Sequence, residues 1–185
     1  MTPLNPISPP AWAYEQVHLV EHDPSWAQLA QSYAGEAHSL LEGWLSGPVV
    51  HVGSTAIPGL AAKPIIDLQA TATDPQAAVD AEHDAMAAAS WFFVPRDLDQ
   101  RVWRWFVVRA DTSGRHRRAH LHLMRTDEPR WHDQIFFRDR LRESPALALE
   151  YAELKAAAAA EHAHDREAYT EAKAEFVRRV LDQPS

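Results

Sequence analysis

The stretch 51–69, HVGSTAIPGLAAKPIIDLQ, holds the residue types and spacing best suited to chemistry in this chain. A short apolar run ends in Gly53 and Ser54, with Thr55 behind them. Glycine lets a phosphate approach the backbone, and the serine hydroxyl with nearby N–H groups can bond its oxygens. Asp67 follows on a strand-like segment and can hold Mg²⁺, which binds through one or two carboxylates plus substrate phosphates. Lys63 stands four residues earlier and supplies a compensating positive charge. Spacing alone also allows an ordinary turn at Gly53-Ser54, and a strand-end carboxylate at 67 that faces water or pairs with an arginine. Asp67 lies between apolar neighbours, where an unpaired charge is costly, so it needs a partner.

His120 and His122 occupy one face of a second alternating segment, with His116 and three arginines, Arg115, Arg117 and Arg118, just before them. Two same-face imidazoles near Asp67 suit three roles: phosphate or substrate contact, general base, or a two-histidine, one-carboxylate transition-metal site. The structural alternative is a core-edge histidine beside a solvated one. His51 reads as structural. Farther on, Lys155 and Lys173 fall on or beside apolar helical stripes, each four residues after a tyrosine, Tyr151 and Tyr169. Such lysines either snorkel to water or line a cleft where their ammonium groups meet phosphate. Trp91, Phe92, Phe93, Trp103, Trp105 and Phe106 read as core more than as a base-stacking platform. Arg138 and Arg142 read as a solvated face from which one arginine can reach the site.

Residues 1–16, with prolines at 3, 6, 9 and 10, form an extended lead-in to a single domain over 17–182. Asp23-Pro24 starts a helix that runs to about 45, and Gly47-Pro48 stops it. Strands are expected at 49–52 and 63–71, the latter with Ile65, Asp67 and Gln69 on one face. An alanine-rich helix follows Asp74-Pro75 to about 90. Strands at 102–108 and 119–125 flank a polar hairpin loop, and helices at 129–143, 146–160 and 165–181 close the chain. This order describes an α+β (α/β-like) domain with flanking helices and a C-terminal helical bundle.

The 185 residues hold no cysteine, which removes disulfides, thiolate metal sites and a cysteine nucleophile. The N-terminal segment lacks the basic and apolar regions of a signal peptide, and no apolar run approaches a membrane span. A cytoplasmic chain is expected. A formal charge of −8 argues against non-specific duplex DNA binding. It leaves room for a nucleotide on a local basic cluster, since most arginines lie between 96 and 142.

The 51–69 stretch resembles the signature of the GrpB family, in which a phrase like VHLVEHDPSW precedes a GST, PGL, KPIID block. RRAHLHL, FFRDRLRESPALALEYAELK and DREAYTEAKAEFV extend the resemblance over about 17–180. It implies a nucleotidyltransferase-like mixed sheet, with Gly53, Ser54, Thr55, Lys63, Gln69, Arg118, Tyr151, Lys155, Tyr169 and Lys173 as ligand-binding candidates. Asp67 is the metal candidate, and Asp67, His120 and His122 are the catalytic candidates. Mg²⁺ is the expected cofactor, and a nucleoside triphosphate the expected ligand or substrate. Such domains also occur fused to dephospho-coenzyme A kinase, so a non-catalytic partner module is the alternative; a His/Asp metal-dependent hydrolase is another. Working nucleotidyltransferases place two carboxylates two residues apart, whereas here Gln69 follows Asp67, and His120 and His122 stand where a third carboxylate is expected. Binding survives that departure better than catalysis does.

Overall fold

The computed structural model describes residues 10–16 and 18–182. Residues 1–9 and Val17, part of the expected lead-in and its boundary, lie outside the described residues. Within the lead-in, Ala11–Tyr14 is a 3₁₀ turn rather than extended chain. The elements that follow are α1 (Trp26–Leu41), β1 (Val50–Val52), a 3₁₀ turn at Ser54–Ala56, and β2 (Ile66–Ala72). Next come α2 (Pro75–Ala81), α3 (His83–Ala88), β3 (Trp91–Val94), α4 (Arg96–Asp99), β4 (Trp105–Ala110) and β5 (Arg117–Arg125). The chain ends in α5 (Arg130–Glu143), α6 (Pro145–Glu161), α7 (Arg166–Glu171) and α8 (Ala174–Leu181).

The strands form one mixed sheet in the order β1-β2-β5-β4-β3, with β2 and β5 parallel and the other pairs antiparallel. Alternation assigns the two faces. Ile66, Leu68, Ala70 and Ala72 of β2, with Ala119, Leu121 and Leu123 of β5, enter the main core under α1, α2 and α3. The opposite face therefore carries Asp67 and Gln69 beside His120 and His122, in register. One residue of slip would bury the charged set and expose the apolar one.

Local signals set the helix starts. Asp74 accepts from the Ala77 N–H at 3.1 Å with Pro75 behind it, and Ser144 accepts from Leu147 ahead of α6. Asp23 instead accepts from Ser25 N–H at 2.8 Å, so α1 begins at Trp26 and ends at Leu41, four residues short of the expected stop. The strand expected at 63–71 is β2 and starts only at Ile66, because Pro64 has no N–H for a ladder. Two further corrections bear on the site. The aromatic run at 91–94 is itself a strand, β3, and the strand expected at 102–108 begins at Trp105. Val102 is 84% exposed and Arg104 is drawn onto Asp99, so 102–104 form a turn. The helix expected over 165–181 breaks between α7 and α8 at 172–173.

Candidate functional site

β1 delivers the chain into Gly53 with φ +72°, the left-handed region that a side chain rarely adopts. Val52 pairs with Asp67 across the β1–β2 ladder, so the turn folds directly over the Asp67 side chain. A β-carbon at position 53 would stand 2.6 Å from Asp67 Oδ2. Glycine is required here twice, by conformation and by volume.

Asp67 Oδ1 accepts from His120 Nδ1 at 2.9 Å and faces His122 Nε2 at 3.8 Å. Its side chain keeps 32% of its surface exposed, so the carboxylate is reachable. Burial works to raise its pKa, but the two imidazoles beside it outweigh burial and hold it well below the usual carboxylate range. Burial lowers His120 to about 4 and also lowers His122, so both rings are neutral beside a carboxylate anion near pH 7. His120 Nε2 is buried without a hydrogen-bond partner among the described residues. The three side chains offer donor atoms within 4.8 Å of one another.

The expected lysines gather on the other flank of Asp67. Lys173 Nζ lies 4.0 Å and Lys63 Nζ 4.8 Å from the Tyr169 ring centroid, while Lys155 Nζ lies 5.0 Å from the Tyr151 ring. Lys155 is 1% exposed and donates to the Ala61 carbonyl at 2.5 Å. Burial first, then the neighbouring ammonium groups, lowers Lys155 to about 7. Burial and Lys63 lower Lys173 to about 8, against the pull of Asp67. Neither Lys155 nor Lys173 has a carboxylate within ion-pair distance among the described residues. Ser54 sits beside the Tyr151 hydroxyl, which burial pushes up; Tyr169 is raised to about 12 by burial and by Asp67. Both phenols are therefore neutral donors.

Some candidates stand elsewhere. Thr55 is 3% exposed and bonds His51 Nε2 at 2.9 Å, so it shapes the turn from inside. Gln69 is fully buried, its amide donating to the Trp131 carbonyl at 3.0 Å, which removes it from ligand contact. Arg118 pairs with Asp111 at 3.9 Å at the hairpin end of β5. Burial lowers His51 to about 4, in keeping with a structural role.

Sequence reasoning under-read four residues that build the site. Arg138 and Arg142, read as a solvated face, reach down from α5 to the carbonyls of His51 and Ala56 at 2.9 and 2.8 Å and hold the turn. Arg104 is 8% exposed and binds both oxygens of Asp99, at 2.9 and 2.5 Å, and His122 Nδ1 at 2.6 Å. Trp103 stacks parallel to His122, with ring centroids 5.7 Å apart. The available signal was the phrase WRW: an arginine among apolar aromatics needs a carboxylate partner.

The family model described as GrpB protein matches residues 16–183. The chain is 38% identical over 173 residues to UPF0157 protein PA4798 of Pseudomonas aeruginosa, covering 90% of this chain and 67% of that protein. It is 28% identical over 172 residues to glutamate-rich protein GrpB of Alkalihalophilus pseudofirmus, covering 91% and 95%. The crystal structure of conserved protein GrpB from Enterococcus faecalis superposes with TM-score 0.76 at 25% identity, over 89% of this chain and 94% of that one. Cid1, solved in complex with its short product ApU, superposes with TM-score 0.53 at 12% identity, over 77% of this chain and 43% of that one.

Proposed function

Because the chain belongs to the GrpB family and shares its fold with a nucleotidyltransferase, we propose that it binds a nucleoside triphosphate, with the polyphosphate in the lysine cradle beside Asp67. The observation that carries this reading is the meeting of Lys155 and Lys173 with Lys63 around two neutral tyrosines, where Lys155 and Lys173 have no carboxylate counter-ion among the described residues. Ammonium groups that depress one another call for an external anion. Ser54 bonds the Tyr151 hydroxyl at one wall of the cradle, and the Gly53 turn lies over Asp67, the elements a phosphate-binding turn needs.

Mg²⁺ fits this site in one form. Asp67 Oδ1 is taken by imidazole, which leaves Oδ2 as one oxygen ligand, enough for an ion that arrives on phosphates. Asp67 would hold it, and the ion would supply charge neutralisation on the polyphosphate. A second ion finds no carboxylate beside Asp67 among the described residues, since Gln69 is buried on Trp131. That single observation favours a second reading, a domain that binds its ligand without turning it over.

The test is calorimetric titration with ATP, GTP, CTP and UTP, with and without Mg²⁺, on wild type, Asp67→Ala and Lys173→Ala. Binding that weakens at least about tenfold in Lys173→Ala, and loses its magnesium dependence in Asp67→Ala, supports the proposal. Equal binding in all three proteins, or none to any triphosphate, removes it. Pyrophosphate release dependent on Asp67 separates transfer from binding alone.

A further inference from the structure

We infer that Arg104, clamped by Asp99, is a positioning residue that locks His122 as its Nε2–H tautomer and keeps a transition metal out of the Asp67–His120–His122 group. The inference deepens the nucleotide reading, since it explains how Asp67 is kept open for a phosphate-borne ligand. A guanidinium has N–H donors and no acceptor. At 2.6 Å from Arg104 Nη1, His122 Nδ1 must therefore offer its lone pair. The ring proton then sits on Nε2, which faces Asp67 Oδ1.

Arg104 has little freedom to release the ring. Asp99 holds Nε and Nη2 through both carboxylate oxygens, and the guanidinium lies 3.8 Å from the Phe106 ring centroid. Asp99 and Arg104 are each 8% exposed, and Arg101 backs Asp99 at 4.0 Å. A buried ion pair is often no more stabilising than a well-packed apolar pair, so its worth here lies in orientation.

The donor set of two imidazoles and one carboxylate otherwise suits Zn²⁺, Mn²⁺ or Fe²⁺. Ligation through His122 Nε2 needs a bare Nε2 and a proton on Nδ1. That proton would point at the guanidinium, donor against donor. The lock thus turns a metal-shaped cluster into one held by protons, with His120 donating to Asp67 and the His122 Nε2 proton facing it at 3.8 Å.

The experiment is imidazole ¹⁵N–¹H correlation spectroscopy of the full chain at neutral pH, paired with Co²⁺ titration followed by visible absorption. Wild type is expected to show His122 protonated at Nε2 and bare at Nδ1, with no ligand-field band at stoichiometric Co²⁺. The double variant Asp99→Asn/Arg104→Gln removes both buried charges together. In it the His122 tautomers mix, and Co²⁺ affinity rises about 10–100-fold, the scale set by outer-shell partners. An Nδ1–H tautomer in wild type, or equal Co²⁺ binding in the two proteins, overturns the lock. The wild-type spectrum needs no variant, so it decides even if the double variant fails to fold. Triphosphate titration of wild type and Lys173→Ala reads the cradle independently: equal binding in both, or none in either, with an Nε2–H His122, removes the nucleotide reading and leaves the lock standing.

Discussion

An alanine at position 53 would put its methyl carbon 2.6 Å from Asp67 Oδ2 and 2.9 Å from Asp67 Cβ, on backbone at φ +72°. Neither neighbour gives way cheaply, because Asp67 is anchored to His120 and paired in the ladder with Val52. Gly53→Ala is therefore expected to cost about 1–3 kcal/mol, the range for strained backbone at a functional site. A shifted urea midpoint with unchanged slope would show it. The same variant is expected to lose magnesium-triphosphate binding, since the carboxylate must move aside; an unchanged midpoint would mean the turn is looser than its geometry. At this scale the sequence was informative about identity and less so about geometry. The need of Asp67 for a partner followed from its apolar neighbours, and the alternation of 119–125 placed His120 and His122 on one face. Their meeting depends on the parallel β2–β5 pairing, a long-range fact no local pattern carries.

Helix α5 grips the turn through Arg138 and Arg142, and α6, α7 and the α7–α8 break supply the tyrosines and lysines. Arg142→Ala removes one charged hydrogen bond to a carbonyl from a half-exposed side chain, so about 1 kcal/mol of stability is expected to go. Triphosphate affinity should fall with it, because Ser54 belongs to the same turn; loss of stability with unaltered affinity would separate the turn from the ligand. The lysines give the site a pH signature. Lys155 at about 7 is partly charged at neutrality and Lys173 at about 8 loses its charge just above it, both held down by burial and then by the neighbouring lysines. A bound polyanion raises both, so binding takes up protons. Affinity is then expected to be highest at or below pH 7 and to fall as pH rises to 9, by up to about tenfold per pH unit for each proton taken up. Calorimetry in two buffers of different ionisation enthalpy measures that uptake, and a null result means both lysines are already charged when free. These helices were legible as periods and caps, and their lysines as intruders on apolar stripes. The break at 172–173, the strand at 91–94 and the turn at 102–104 were not: the strand is set by its pairing with β4 and the turn by the Asp99–Arg104 pair.

Over the whole molecule, a formal charge of −8 surrounds a pocket of ammonium groups, so the long-range field opposes an anionic ligand that the local field attracts. Added salt screens both, and the two effects are separable by where they act. Association should quicken with moderate salt while the bound state weakens only at high salt; stopped-flow titration against ionic strength checks this, and a fall in both from the lowest salt would place the ligand outside the cradle. Stability follows the same logic with the opposite pH sense. In the unfolded chain the lysines titrate near their ordinary 10.5, against about 7 and 8 when folded. Between pH 7 and 10 the unfolded state thus binds more protons, and their contribution makes the free protein more stable as pH rises. Ligand reverses that trend. At a hundredfold excess over Kd a triphosphate adds about 2.7 kcal/mol to the folded state, and this bonus shrinks as Kd weakens with pH. Melting curves with and without triphosphate should therefore stand apart at pH 7 and converge toward pH 9. Curves a constant distance apart would show that charge on Lys155 and Lys173 does not set the affinity.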